Sequence, residues 1–178
     1  GVNLANVVAK QGDLTLDANG RVRLRDSAAQ GDVTINAQGN VELSGKVAAQ
    51  SAVMAGATGD ITLSQSQLAG DSAHLVGKKI TISDSRVDAR NVNLAAEDTL
   101  TQHGELSAAE QLALSGKTII LTGRQQSAGA VTVTAHEGAT LQGELAAAGP
   151  VTINGGHHWV QTKDATLESQ ADVKVTAD

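Results

Sequence analysis

Six residues of this 178-residue chain stand out for what their types and spacing could bind: Arg21, Arg23 and Arg25 near the start, and His157, His158 and Trp159 near the end. Adjacent imidazoles joined by a third donor can hold zinc or copper, and an indole face can stack on a sugar ring. No third ligand stands at a fixed spacing from His157 and His158, so neither a metal nor any other cofactor is expected. His74, His103 and His136 fall on other repeats. The arginines alternate with Val22 and Leu24, which leaves two readings: a contact for an anionic glycan, or the outward positions of one strand on a charged surface. Trp159 likewise divides between sugar stacking and packing, because its phase points it inward.

Carboxylate chemistry would need acidic groups stacked on neighbouring repeats, as in polysaccharide lyases and hydrolases. Asp13 and Asp32 are so placed, yet each follows a glycine at a corner and their next equivalents are Ala52 and Ser72. Turn chemistry accounts for them. Calcium-binding Gly-Gly-x-Gly-x-Asp nonapeptides, a phosphate-cradling Gly-Lys-Ser/Thr loop and a Gly-x-Ser-x-Gly elbow are absent. No enzymatic activity is expected.

The elements that must carry these residues follow from an apolar-x-apolar triplet that returns about every twenty residues. Leu14-Thr15-Leu16, Val33-Thr34-Ile35, Val53-Met54-Ala55, Ala73-His74-Leu75, Val92-Asn93-Leu94, Leu112-Ala113-Leu114, Val131-Thr132-Val133 and Val151-Thr152-Ile153 start 19 or 20 residues apart. A second series runs through Val22, Val41, Ile61 and Ile80 and more loosely through Leu100, Ile119 to Leu121, Leu141 and Trp159. A third, weaker one passes through Val47, Leu68, Val87, Leu106, Leu145 and Leu167. Period-two alternation sends the flanking aliphatics inward and the middle residue outward. Three short strands per repeat predict a three-sided parallel β-helix of about nine rungs of 19–20 residues, occupying 1–178 as a single segment.

Glycine punctuates the pattern. Gly20, Gly39, Gly59 and Gly138 are expected at the bend between first and second strands, and Gly12, Gly31, Gly70 and Gly149 just before the first, there supplying the positive φ of tight corners. Ala108 to Leu114 is locally a good helix former, but glycines and β-branched triplets leave no continuous helical face. The Val173-Lys174-Val175 triplet still reads as a first strand, and neither end departs from the pattern, which suits an interior piece of something longer.

Segments such as Gly12-Asp13-Leu14-Thr15-Leu16-Asp17-Ala18, Gly31-Asp32-Val33-Thr34-Ile35-Asn36-Ala37 and Lys78-Lys79-Ile80-Thr81-Ile82 resemble the haemagglutinin repeats of filamentous haemagglutinin and of contact-dependent growth-inhibition exoproteins. The resemblance covers most of the chain and is specific for architecture. It implies right-handed β-helical filaments of Gram-negative bacteria, exported through a dedicated outer-membrane transporter by two-partner secretion and projecting an adhesin or toxin from the cell surface. The family's secretion-directing and toxin-bearing regions match nothing here.

The remaining expectations concern partners. A net charge of -6 argues against nucleic acid, which needs a basic face. No run is long and apolar enough to cross a bilayer. With no cysteine, stability must come from the stack. The leading expectation is a secreted structural shaft, monomeric with end-to-end association; the alternative is a segment whose faces bind glycans or a cell-surface receptor directly. Ice binding is disfavoured because Met54, His74, Asn93 and Ala113 break the outward threonine column. A cytoplasmic β-helical polymer would carry terminal contacts of its own.

Overall fold

A computed structural model describes all of residues 1–178. The chain is all-β: eighteen strands, every pairing parallel, wind into a parallel β-helix with three faces. Eight rungs, numbered 1 to 8, begin at the first-face strands opening at Leu14, Val33, Ala52, Ser72, Asn91, Gln111, Ala130 and Val151. Second- and third-face strands, Val2–Ala5 and Val8–Ala9, precede rung 1, and a first-face strand, Val173–Thr176, follows rung 8. At about 4.8 Å per level the stack is on the order of 40 Å long.

The register is the one the triplets prescribe. Leu14 lies against Val33, Val33 against Val53, Val53 against Ala73, Ala73 against Val92, Val92 against Leu112, Leu112 against Val131 and Val131 against Val151. On the second face Val2, Val22, Val41, Ile61, Ile80 and Leu100 form an equivalent column. These side chains meet in one continuous core of Ala, Val, Leu and Ile. Ala108 to Leu114, the locally helical stretch, lies within the strand Thr99–Leu121, which turns through all three faces without a break. Helix propensity is worth a few tenths of a kcal/mol per residue, and burying Leu112 and Leu114 in the stack outweighs it.

The glycine corners form for a different reason from the one expected. None of Gly12, Gly20, Gly31, Gly39, Gly59, Gly70, Gly138 and Gly149 has a positive φ. Gly39 and Gly149 lie so close to the rung beside them that a side chain has no room: a Cβ on Gly39 would sit 2.8 Å from the Gly20 carbonyl carbon, and one on Gly149 2.7 Å from that of Gly129. Gly138 is also out of the expected series. It stacks between Thr118 and His158, at the entry to the second strand.

The positive φ occurs at the corner between second and third strands, in a column of mostly non-glycine residues: Asn6, Asp26, Gly45, Gln65, Asp84 and Gly104. A left-handed conformation strains residues with a Cβ, least of all Asn and Asp. Side-chain hydrogen bonds hold it. Asp26 Oδ1 accepts from the Lys46 amide at 3.0 Å, and the buried hydroxyls of Ser27, Ser66 and Ser85 donate to the carbonyls of Arg25, Gly45 and Ser83.

Inward Val92 and Leu114 are 1% exposed, whereas Asn93 and Ala113 face out between them. Val92→Asp or Leu114→Asp therefore places an unpaired carboxylate in the core and is expected to cost more than about 4 kcal/mol. Asn93→Asp and Ala113→Asp should stay within about 0.5 kcal/mol. Chemical denaturation of the four variants checks this, and equal losses at both classes would refute the facing.

Candidate functional site

The three arginines line the second face at its first rung. Arg21 is exposed just before the strand Val22–Ala29, and Arg23 and Arg25 point outward from that strand while Val22 and Leu24 point in. Arg23 is ion-paired to Glu42 directly above it, through Nε and Oε2. Arg25 Nε lies 3.8 Å from Asp26 Oδ2. The basic stretch is thus partly neutralised within its own face. Around it a shallow, open depression is lined by Asn3, Arg23, Arg25, Glu42, Ser44 and Thr62, a set of donors and acceptors drawn from adjacent rungs.

The second candidate group is divided by its strand. Trp159 enters the inward column of the second face, above Ala139, and packs partly buried against the core. His158 is exposed, its ring lying over Gly138, where a Cβ would be 2.3 Å from the imidazole Nε2. His157 lies on the corner before it, with Nδ1 3.5 Å from Asp178 Oδ2. No cluster of three His, Cys, Asp or Glu side chains suited to a metal ion occurs in the molecule. The arginine group and the His-His-Trp group share a face but lie at opposite ends of the stack, seven second-face levels apart.

Asp13 and Asp32 serve the backbone. Asp13 Oδ1 accepts the Asp32 amide at 2.7 Å, and Asp32 Oδ1 accepts the Ala52 amide at 2.9 Å. Asn40 and Asp60 repeat the arrangement before the second strand, accepting from the Asp60 and Lys79 amides. A carboxylate engaged with the rung above is anchored as a corner cap.

The stack carries one polar feature that the three series pass over. Gln102 takes the inward place above Ile82 on the second face, and Gln125 takes the third-face place between Leu106 and Leu145. Both are fully buried. Gln125 Nε2 donates to Gln102 Oε1, while Gln102 Nε2 and Gln125 Oε1 have no partner. The third series is silent between Leu106 and Leu145, and that gap, one repeat wide, is the signal that marks Gln125.

Ion pairs between rungs dress the corners. Arg90, at the start of rung 5, contacts Glu110 above through Nη2 and Asp71 below through Nη1 at 3.6 Å. Asn91 Nδ2 adds a bond to Glu110 Oε2 at 3.3 Å. Hydrogen bonding to Arg90 holds the Glu110 carboxyl below its ordinary range, and the same contact raises the Arg90 guanidinium. A carboxylate with a depressed folded pKa contributes stability above its unfolded pKa and loses that contribution as pH falls through the folded value. The contact therefore holds at neutral pH and opens only in acid.

The family described as Repeats of unknown function (DUF5649) matches residues 11–73, which contain rungs 1 to 3. No curated protein and no solved structure matches the chain.

Removing either glutamine alone leaves the other amide buried without its only partner. Gln102→Leu is expected to lose about 1–3 kcal/mol, and Gln102→Leu with Gln125→Leu to regain at least half of that loss. Denaturant midpoints of the two singles and the double measure the coupling; additive losses would mean that the amides do not act as a pair.

Proposed function

We propose that the chain is a shaft segment of a large secreted bacterial surface filament, one that holds an adhesin or toxin away from the cell. The observation that carries this reading is the unbroken stack. All three faces run parallel and in register from Val2 to Thr176, and the core is continuous. Such a column transmits position and resists bending, because each rung is bonded along its whole length to the next. A rung also cannot bury its apolar face alone, so folding by addition of successive rungs suits a chain emerging from a transporter pore. The resemblance to haemagglutinin repeats supports export to the cell surface of a Gram-negative bacterium through an outer-membrane partner.

A second reading is direct adhesion. It is favoured by the depression around Arg23, Arg25, Glu42, Ser44 and Thr62, where polar side chains suited to sugar hydroxyls and an acidic substituent stand beside Leu4, Leu24 and Leu43. Arg21 lies exposed at its margin.

Stretching the protein between its ends by force spectroscopy should release it in steps of one rung, about 65 Å of contour for 19–20 residues. Loss of the whole rod in one event would contradict rung-wise folding. On a glycan array the shaft reading expects no saturable binding. Binding that is abolished by Arg21→Ala with Arg25→Ala, but not by Lys174→Ala, would replace the shaft with an adhesive segment.

A further inference from the structure

The core is nearly the same on every rung, and that sameness creates a problem of address. Inward columns of Val, Leu, Ile and Ala accept a rung equally well whether its neighbour is the next repeat or the one after, so a skipped repeat keeps most of its buried contacts. The discrimination has to come from elsewhere.

Rungs 4 to 7 carry it in charge. On the third face Arg86, Glu105, Arg124 and Glu144 stand directly over one another. Arg86 and Glu105 are ion-paired at 3.4 Å, and Arg124 and Glu144 approach to 3.9 Å. At the corner before the first strand the order is Asp71, Arg90, Glu110, joined by the contacts described above. At the corner before the second strand Lys78 and Lys79 lie under Glu97 and Asp98, these under Lys117, and Lys117 under the two-residue step His136-Glu137. Backbone bonds from the Asp98 amide to the Lys78 carbonyl and from the Lys117 amide to the Asp98 carbonyl set the first two steps. The pairing of Gly116 with Ala135 and of Thr118 with Gly138 sets the third. All three columns alternate in sign with a period of two rungs. Where like charges do stack, at Asp13 and Asp32, one carboxylate is bonded to the other residue's amide.

Alternation makes the penalty for a skip specific. If rung 5 is looped out, Arg86 meets Arg124, Lys78 and Lys79 meet Lys117, and Asp71 meets Glu110. If rung 6 is looped out, Glu105 meets Glu144 and Asp98 meets Glu137. The buried amides mark the same step, since Gln102 belongs to rung 5 and Gln125 to rung 6 and loss of either rung orphans the other. From these columns we infer that the alternating charges, together with the Gln102–Gln125 pair, form a register code that prevents rungs 4 to 7 from skipping a repeat as the stack grows. This function is independent of what the filament carries and holds for either reading of the protein's role.

Two experiments test it. In the 178-residue chain the charged part of the code is erased with outward-facing substitutions only: Arg90→Gln, Glu97→Gln, Asp98→Asn and Glu105→Gln on rung 5, and Glu110→Gln, Lys117→Gln and Arg124→Gln on rung 6. After rapid refolding from denaturant, limited proteolysis should cut a several-fold larger fraction of this variant than of the parent within residues 90–128, where a looped-out rung is exposed. Equal fractions overturn the proposal. The second experiment excises whole repeats and does not depend on the first variant folding. Removing residues 90–108, with Gln125→Leu to spare the orphaned amide, brings like charges together in all three columns. Removing 90–128 restores Arg86 against Glu144 and Lys78 against Glu137. The two shortened chains have nearly the same net charge. Raising salt from about 20 mM to about 500 mM should raise the unfolding midpoint of the single excision relative to that of the double, since screening removes its repulsions. The same salt response in both overturns the code.

Discussion

Every other feature of this protein depends on the parallel ladder between successive rungs. A backbone amide on one rung donates to a carbonyl of its neighbour, so residues 19 or 20 apart in sequence become vertical neighbours about 4.8 Å apart. The ladder is indifferent to side chains. It does require that whatever stands at one position tolerate its own counterpart above and below, and most of the sequence can be understood as an answer to that requirement. Aliphatics stack on aliphatics inside. Corners that approach too closely for a Cβ use glycine, and corners that turn left-handed favour Asn, Asp or Gly. Outside, a charge stands over its opposite or over a neutral residue, except where a carboxylate is tied to the amide above it, as Asp13 is to Asp32.

The same constraint sorts polar groups by the job they do. Asp13, Asp32, Asn40 and Asp60 are spent on amides that the corner leaves unpaired within its own rung. Ser27, Ser66 and Ser85 instead donate to carbonyls from the inside of another corner, which is why hydroxyls are buried there without orphaned atoms. Exposed ion pairs add little each, about 0.2–1 kcal/mol, and could not hold the rod together. Their value lies in differences between one stacking and another, where several small terms change sign at once.

The strands, their facing and their vertical partners were legible in the sequence because a repeat prints each column eight or nine times, and agreement among Leu14, Val33, Val53, Ala73, Val92, Leu112, Val131 and Val151 averages away local exceptions such as the helix-favouring Ala108 to Leu114. Corners were less legible. Glycine recurs for two distinct reasons, lack of room for a Cβ and positive φ, and composition alone does not separate them. The left-handed column was present as Asn6, Asp26, Gly45, Gln65, Asp84 and Gly104 at the repeat spacing, but its mixed residue types hide it from a search for one letter. Gln102 and Gln125 were hidden for the opposite reason: an apolar template treats a polar residue at an inward position as an interruption. As for the candidate binding groups, the sequence placed the outward phase of Arg23 and Arg25 and the inward phase of Trp159. It could not supply Glu42 as the partner of Arg23, because Glu42 is one repeat away and only the exact register brings it there.

Homogeneity inside and heterogeneity outside are two halves of one solution. A stack is continuous when its core is apolar at every level, and this one tolerates changes in side-chain size such as Val53, Ala73 and Val92 in one column. Uniformity removes the information that tells one rung from the next, however, and a chain that folds by adding rungs in sequence has to choose correctly at each step before the following rung can lock the choice. The corners are where that information can be stored at least cost to the core, because outward side chains alter the contacts between rungs without altering their packing. Rungs 1 to 3 carry little alternating charge and rely more on Asp and Asn caps, whereas rungs 4 to 7 carry three charged columns and the buried amides. The change coincides with the long strands Ile80–Ala96 and Thr99–Leu121, which keep the left-handed residue, Asp84 or Gly104, at the corner before the third face but run straight through the corner before the first, at Arg90 and Glu110. Where local turn geometry no longer sets the register, side chains that recognise the neighbouring rung take over.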